Sequence, residues 1–140
     1  MIEAIHIGPQ EGGPVVAVES ARAYAGKGLE GDRHFRDGGA KPGQALTLVE
    51  AEQVEDVGLA QGETRRNVTV RGVGLNDLVG KHFKVGEVEC YGVELCEPCE
   101  HLQSMTRPGI IKDLVHRAGL NADILTDGVI RVGDEIVTEL

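Results

Sequence analysis

Three cysteines fall within ten positions, and two of them frame the segment Val93-Glu94-Leu95-Cys96-Glu97-Pro98-Cys99-Glu100-His101-Leu102. A thiolate is both a strong nucleophile, able to hold a sulfane sulfur as a persulfide, and a soft metal ligand. An odd, closely spaced set suits a reducing compartment and a local site better than a disulfide framework. Several uses compete. Cys90, Cys96, Cys99 and His101 would make four ligands for a structural zinc, although one C-x-x-C without a distant second pair is a weak zinc signature. C-x-P-C matches a thioredoxin-like dithiol, but that motif needs a βαβ frame with a helix N-terminus beneath its first cysteine, and the surrounding pattern offers neither. The haem-attachment pattern C-x-x-C-H fails because Glu100 separates Cys99 from His101. The remaining use is one working thiol, Cys99, with Cys96 as neighbour or resolving partner, where a strand runs into a Pro-containing turn. Cys90 reads as a small buried core residue.

Other reactive patterns are excluded. Gly74-Leu-Asn-Asp-Leu-Val-Gly80-Lys81-His82 has one residue too many between its glycines for a phosphate-binding P-loop, and His82 stands where a Ser or Thr belongs. No G-x-G-x-x-G opens a helix after a strand, no H-E-x-x-H is present, and neither Ser20 nor Ser104 lies in a G-x-S-x-G elbow. With 23 acidic against 14 basic residues and a net charge of -9, the chain opposes the phosphate neutralisation that drives nucleic-acid binding. No uncharged apolar run approaches the ~18 residues of a membrane span. The first residues lack the basic and apolar regions of an export signal, so a cytoplasmic location is expected.

The elements that must position these thiols follow from punctuation. One domain of 140 residues with 41% hydrophobic and 26% charged residues can bury a core unaided. With two Tyr, two Phe and no Trp, that core must be Val, Leu, Ile and Ala. Twenty glycines and five prolines divide the chain into short β-type runs. Strands are expected over Ile2–Ile7, Pro14–Glu19, Ala45–Val49, Asn67–Val70, His82–Val85, Val88–Leu95, Asn121–Leu125 and Glu135–Glu139. Helical spacing occurs at Glu50–Val57 and Gly109–Ala118. Phe83-Lys-Val-Gly-Glu87 and Ile130-Arg-Val-Gly-Asp134 share a strand, Gly turn, strand grammar. Alternation fails at Tyr91-Gly92, as at a β-bulge. Lys27–Gly43 reads as a long functional loop. Many short, bent strands with no βαβ rhythm predict a mainly β fold, a closed or nearly closed β-barrel with one or two short helices.

With these residues laid out, the chain resembles the MOSC domain, found at the C-terminus of molybdenum-cofactor sulfurases and as small stand-alone bacterial proteins. The resemblance rests on Gly28-Leu-Glu-Gly-Asp-Arg-His34, Leu46-Thr-Leu-Val-Glu50, Arg66-Asn67-Val68 followed by Gly74-Leu75, Leu78-Val-Gly80, Phe83-Lys-Val-Gly86, Pro98-Cys99 and Gly128-Val-Ile-Arg-Val-Gly-Asp134. It implies a β-barrel with a cysteine at the mouth of a cleft. Cys99 then corresponds to the family's sulfur-carrying cysteine, or to the thiol that ligates molybdenum in amidoxime-reductase relatives. Asp32, Arg33 and His34 correspond to its Gly-Asp-Arg-His loop, and Arg66 and Asn67 to its Arg-Asn strand. Those cations suit an anion such as a pterin phosphate.

The resemblance implies a sulfur carrier or transferase, or a binder of the molybdenum cofactor, whose sulfur donor is a cysteine desulfurase. Pyridoxal phosphate is assigned to that partner, because no lysine here has a Schiff-base context. Reduction of N-hydroxylated compounds would need an electron donor from another protein. The rival expectation is a non-catalytic, zinc-stabilised or protein-binding β-barrel module with structural cysteines. Glu97 and Glu100 flank Cys99 and disfavour its thiolate, so Arg33, His34 or Arg66 is expected to approach from other strands. Arg65 and Arg66 are adjacent, so on a strand only one faces the cleft, and the motif favours Arg66. Arg107 is a further candidate for the same opening.

Overall fold

The Val, Ile and Leu runs become eleven strands in the computed structural model, which describes residues 1–139. They are β1 (Ile2–Ile7), β2 (Val16–Val18), β3 (Ser20–Tyr24), β4 (Gly28–Leu29), β5 (Leu46–Glu50), β6 (Val68–Val70), β7 (His82–Val85), β8 (Val88–Leu95), β9 (Leu120–Ile124), β10 (Gly128–Arg131) and β11 (Ile136–Val137). Three short helices, α1 (Ala51–Asp56), α2 (Glu100–Met105) and α3 (Ile110–Leu114), and a 3-10 turn at Leu75–Leu78 complete the described chain. Eight strands form one sheet in the order β11-β7-β8-β9-β5-β6-β1-β2, and β10-β3-β4 form a second. Ala21, Ala23, Leu29 and Ile130 of the small sheet share one core with Ile2, Ile5, Leu48, Phe83 and Leu120 of the large one. Phe83 is the single fully buried aromatic, so the core is the aliphatic one that the composition requires.

The large sheet curls into a half-barrel and does not close. Its edges are β2 and β11, three and two residues long, and they are not paired with each other. The chain leaves this sheet for the small one at Glu19, between β2 and β3, returns to it with β5, leaves again for β10 and returns with β11. The two shared pentapeptide grammars therefore diverge. Gly86, at φ 58°, closes the β7–β8 hairpin, whereas Gly133, at φ 95°, turns a corner from the small sheet to the large one.

Local readings needed further correction. β3 and β4 went unread, the latter inside the expected Lys27–Gly43 loop, because each buries only one or two residues against the core. One βαβ unit does exist, since β5 and β6 are parallel and α1 lies in the crossover. Six residues of helix are too few to print a rhythm on the sequence. α3 ends at Leu114 rather than Ala118, because Val115 turns extended and His116 takes a φ of 59°. α2, directly after Cys99, was missed because it buries Leu102 alone. Leu102 joins Ile110, Leu114, Ala118 and Val57 in a satellite core. The bulge lies one residue beyond the expected place, where the β8–β9 register shifts between Gly92 and Glu94.

Asn67 stitches the wall of the half-barrel together. Its side-chain oxygen accepts hydrogen bonds from the Thr47 N–H and hydroxyl (both 3.2 Å), and its amide nitrogen donates to the His6 carbonyl at 3.2 Å. Three strands are thereby held in register by one buried amide. His6 beside it is 7% exposed, its Nδ1 has no hydrogen-bond partner, and a Cβ on Gly62 would lie 2.9 Å from its Nε2. Burial pushes its pKa down, so it is held neutral.

The unfolded chain takes up a proton at His6 near pH 6.5 while the folded chain does not, so stability falls as pH drops through that value. His34 shifts the same way, whereas Glu3 and Glu97 are held below the usual carboxylate range and act only in stronger acid. Urea midpoints measured between pH 7 and 5 should decline, and His6→Gln should flatten the slope. An unchanged slope in that variant would contradict the assignment.

Candidate functional site

The half-barrel carries an open cleft of about 380 Å³, lined by Arg33, His34, Arg36, Arg65, Arg66 and Cys96 among others. Glu11 is the one acidic side chain on it. A chain of net charge -9 thus gathers four of its 14 Lys and Arg residues around a single opening. The arrangement presents guanidinium forks to a small anion, with a thiol on the wall.

The segment after β4 aims two of these groups. The Asp32 carboxylate is 1% exposed, accepts the Gly8 N–H at 2.9 Å and the His34 N–H at 3.3 Å, and lies 3.8 Å from the Arg33 guanidinium. Arg33 returns its own N–H to the Gly8 carbonyl at 2.7 Å. A Cβ on Gly8 would sit 2.0 Å from Arg33 Nη1, so only glycine leaves the guanidinium where it is. Phe35 packs edge-on against Tyr24, 5.7 Å between centroids, and Arg36 donates to the Arg33 and Phe35 carbonyls at 2.7 and 3.0 Å. Burial, followed by the Arg33 charge, pushes the His34 pKa down, so its ring is biased to the neutral form.

Arg65 and Arg66 both face the cleft, contrary to the expectation that one would turn away. Arg65 precedes β6 and adopts φ 63°, so strand alternation does not apply to it. It donates to the Gly13 carbonyl, and burial together with Arg33 lowers its pKa. Arg66 donates to the carbonyls of Ala118 (2.9 Å), Thr64 (3.3 Å) and Cys96 (3.5 Å).

The cysteines separate by depth. Cys90 on β8 is fully buried, and burial pushes its thiol up to about 12. Cys96 lines the cleft, half-buried, its N–H donating to Gly119 O at 2.8 Å. Burial raises its pKa, Arg66 opposes the rise, and Cys99 reinforces it, with burial dominating. Cys99 is exposed, just before α2, and is not on the cleft wall. The cation approach expected for Cys99 is thus realised by Arg66 at Cys96. Glu97 is engaged by His116, whose N–H and Nδ1 lie 2.7 and 2.6 Å from its two carboxylate oxygens.

Other candidates fall elsewhere. Among the described residues no three His, Cys, Asp or Glu side chains cluster closely enough to hold a metal ion, so Cys90, Cys96, Cys99 and His101 do not assemble the expected zinc set. Asp32 and Asn67 are buried behind the wall they support. Arg107 bonds to the Val57 carbonyl and Asp113, both at 2.8 Å, away from the cleft. No helix among the described residues is long and apolar enough to cross a membrane.

The family model for the MOSC domain matches residues 30–137. The chain belongs to the MOSC domain family. Its fold is similar to that of the YuaD protein from Bacillus subtilis, with a TM-score of 0.78 at 19% identity over 96% of this chain and 92% of that one. It is also similar to YiiM from Geobacillus stearothermophilus, with 0.72 at 18% identity over 100% and 76%, and to YiiM from Escherichia coli, with 0.68 at 15% over 99% and 69%. At such identities these likenesses concern the fold. No curated protein matches.

Sequence reasoning found Arg33, His34, Arg66 and Cys96 of this MOSC domain's cleft but missed Arg36, Arg65 and Glu11. Arg36 lies two residues beyond His34 in the segment already read as a functional loop, a signal that was available. The left-handed backbone at Arg65 had no glycine to announce it.

Gly8 is buried, but its φ is ordinary and the atom a Cβ would meet ends a flexible side chain, so Gly8→Ala should lower the unfolding free energy by no more than about 1 kcal/mol. It should weaken binding of a divalent anion such as sulfate about tenfold, the loss of roughly one charged hydrogen bond. Calorimetric titration alongside a urea melt checks both. Unaltered sulfate affinity would contradict the role given to Arg33.

Proposed function

We propose that this MOSC domain binds a small anionic ligand in the arginine cleft and carries sulfur on its exposed thiol, Cys99, with Cys96 facing the ligand. The observation that carries the reading is the convergence of four guanidiniums, a histidine and a thiol on one cleft of an otherwise acidic protein. Arginine forks match the oxygens of phosphate and related anions.

The residues present fit the molybdenum cofactor that the family is linked to. Arg33, Arg65 and Arg66 would hold its phosphate, and a cysteine thiolate is a suitable donor to its metal: Cys99 by resemblance to the family, Cys96 by its place on the cleft wall. When bound, the cofactor supplies a metal centre for oxygen or sulfur atom exchange. The chain's own residues do the rest. The arginines orient the anion, neutral His34 offers both a donor and an acceptor, and Cys96 keeps its proton until a ligand or base takes it.

Loading with sulfur is a thiol exchange. The Cys99 thiolate attacks the outer sulfur of a persulfide on a cysteine desulfurase. A new S–S bond forms at Cys99, the donor's S–S bond breaks, and the donor cysteine leaves as a thiolate. Pyridoxal phosphate stays on that partner, where it generates the persulfide. An exposed cysteine at the start of α2 is accessible to such a protein.

Intact mass spectrometry after incubation with a cysteine desulfurase and free cysteine tests the reading. Wild type should gain the mass of one sulfur, removed by a thiol reductant, and Cys99→Ser should gain none. A wild type that gains nothing overturns the sulfur-carrier reading.

A further inference from the structure

The two thiols of Cys96-Glu97-Pro98-Cys99 are open to different visitors. Cys99 is exposed and off the cleft wall, so a bulky protein donor reaches it from outside. Cys96 lines the cleft with Arg33, Arg65 and Arg66, so an anion held there lies on its side. Its backbone is pinned at both ends, by Gly119 O on the N–H and by the Arg66 guanidinium on the carbonyl. A cleft about 380 Å³ in volume admits a small ligand but not a folded partner. Sulfur accepted at Cys99 therefore still has to travel inward.

We infer that Cys96 is a second sulfur-carrying residue, which takes the sulfane sulfur from Cys99 and presents it to the ligand in the arginine cleft. This rests on the sulfur-carrier reading above. Two residues, Glu97 and Pro98, lie between Cys96 and Cys99, so three steps of chain separate the two Cα atoms by at most ~11 Å, and Pro98 restricts the turn. The charge on Cys99 is close enough to raise the Cys96 pKa.

The step balances without an oxidant. The Cys96 thiolate attacks the outer sulfur of the Cys99 persulfide, the S–S bond to Cys99 breaks as the one to Cys96 forms, and Cys99 departs as a thiolate. The proton given up by Cys96 is matched by the one Cys99 takes from solvent.

A persulfide-loaded cysteine desulfurase, too large for the cleft, is the donor for the test. Aliquots are quenched by alkylation over time, and fragmentation at the Glu97–Pro98 bond assigns the sulfur to either cysteine. In wild type the sulfur should appear on Cys99 and then on Cys96. In Cys96→Ser it should remain on Cys99. In Cys99→Ser the desulfurase should leave Cys96 unloaded, while inorganic polysulfide, small enough to enter, loads it. Sulfur that stays on Cys99 in wild type overturns the relay and leaves the carrier reading standing, whereas Cys96 loaded by the desulfurase without Cys99 overturns both the relay and the assignment of the carrier to Cys99. A wild type loaded at neither cysteine overturns both.

Discussion

Four guanidiniums sharing one opening repel one another, and the local architecture answers that repulsion. At an effective dielectric of ~20, two unit charges ~4 Å apart repel by about 4 kcal/mol. A hydrogen bond to a charged group contributes ~1.5–3 kcal/mol, so two or three per side chain are of the size needed. The structure supplies that number at Arg66 and Arg36 and fewer at Arg65 and Arg33. Arg66 is held by three carbonyls, Arg36 by two and Arg65 by the Gly13 carbonyl, while Arg33 lies beside the buried Asp32. Every carbonyl used that way lies outside the regular strands and helices, in a turn, a bend or irregular chain. The irregular joints of the half-barrel, rather than its regular strands, are what make the cleft possible.

The same constraint explains the electrostatic contrast of the molecule. Acidic residues dominate the surface and repel anions at long range, but that field is screened within ~8 Å at physiological ionic strength. Close to the wall the fixed guanidiniums take over. Glu11, the lone carboxylate on the lining, then sits where an incoming anion must displace or tolerate it. Discrimination is thus placed at short range, where fork geometry distinguishes one anion from another.

Much of the fold was legible because long strands bury alternating or continuous aliphatic faces. β1, β5, β7, β8 and β9 all print such patterns. β3 and β10 do not, since Ser20–Tyr24 buries only Ala21 and Ala23, and Gly128–Arg131 only Ile130. Barrel closure was over-read, because short strands do not reveal where a chain changes sheet. In the site, Asp32-Arg33-His34 and Arg66-Asn67 were legible by their resemblance to a family pattern. That pattern does not distinguish a residue that faces the ligand from one that braces the wall, as Asn67 and Asp32 do. Arg65 was set aside by a strand rule that fails where φ turns positive. The depth ordering of Cys90, Cys96 and Cys99 follows from where β8 ends and α2 begins, which spacing alone does not specify.

Crystals soaked in tungstate test the central claim most directly, because the heavy atom is located by its anomalous signal whatever the protein's natural ligand is. One principal site is expected, within hydrogen-bonding distance of the Arg33, Arg65 and Arg66 guanidiniums and on the side of the wall that carries Cys96. Tungstate bound elsewhere on the molecule with that cleft empty would contradict it.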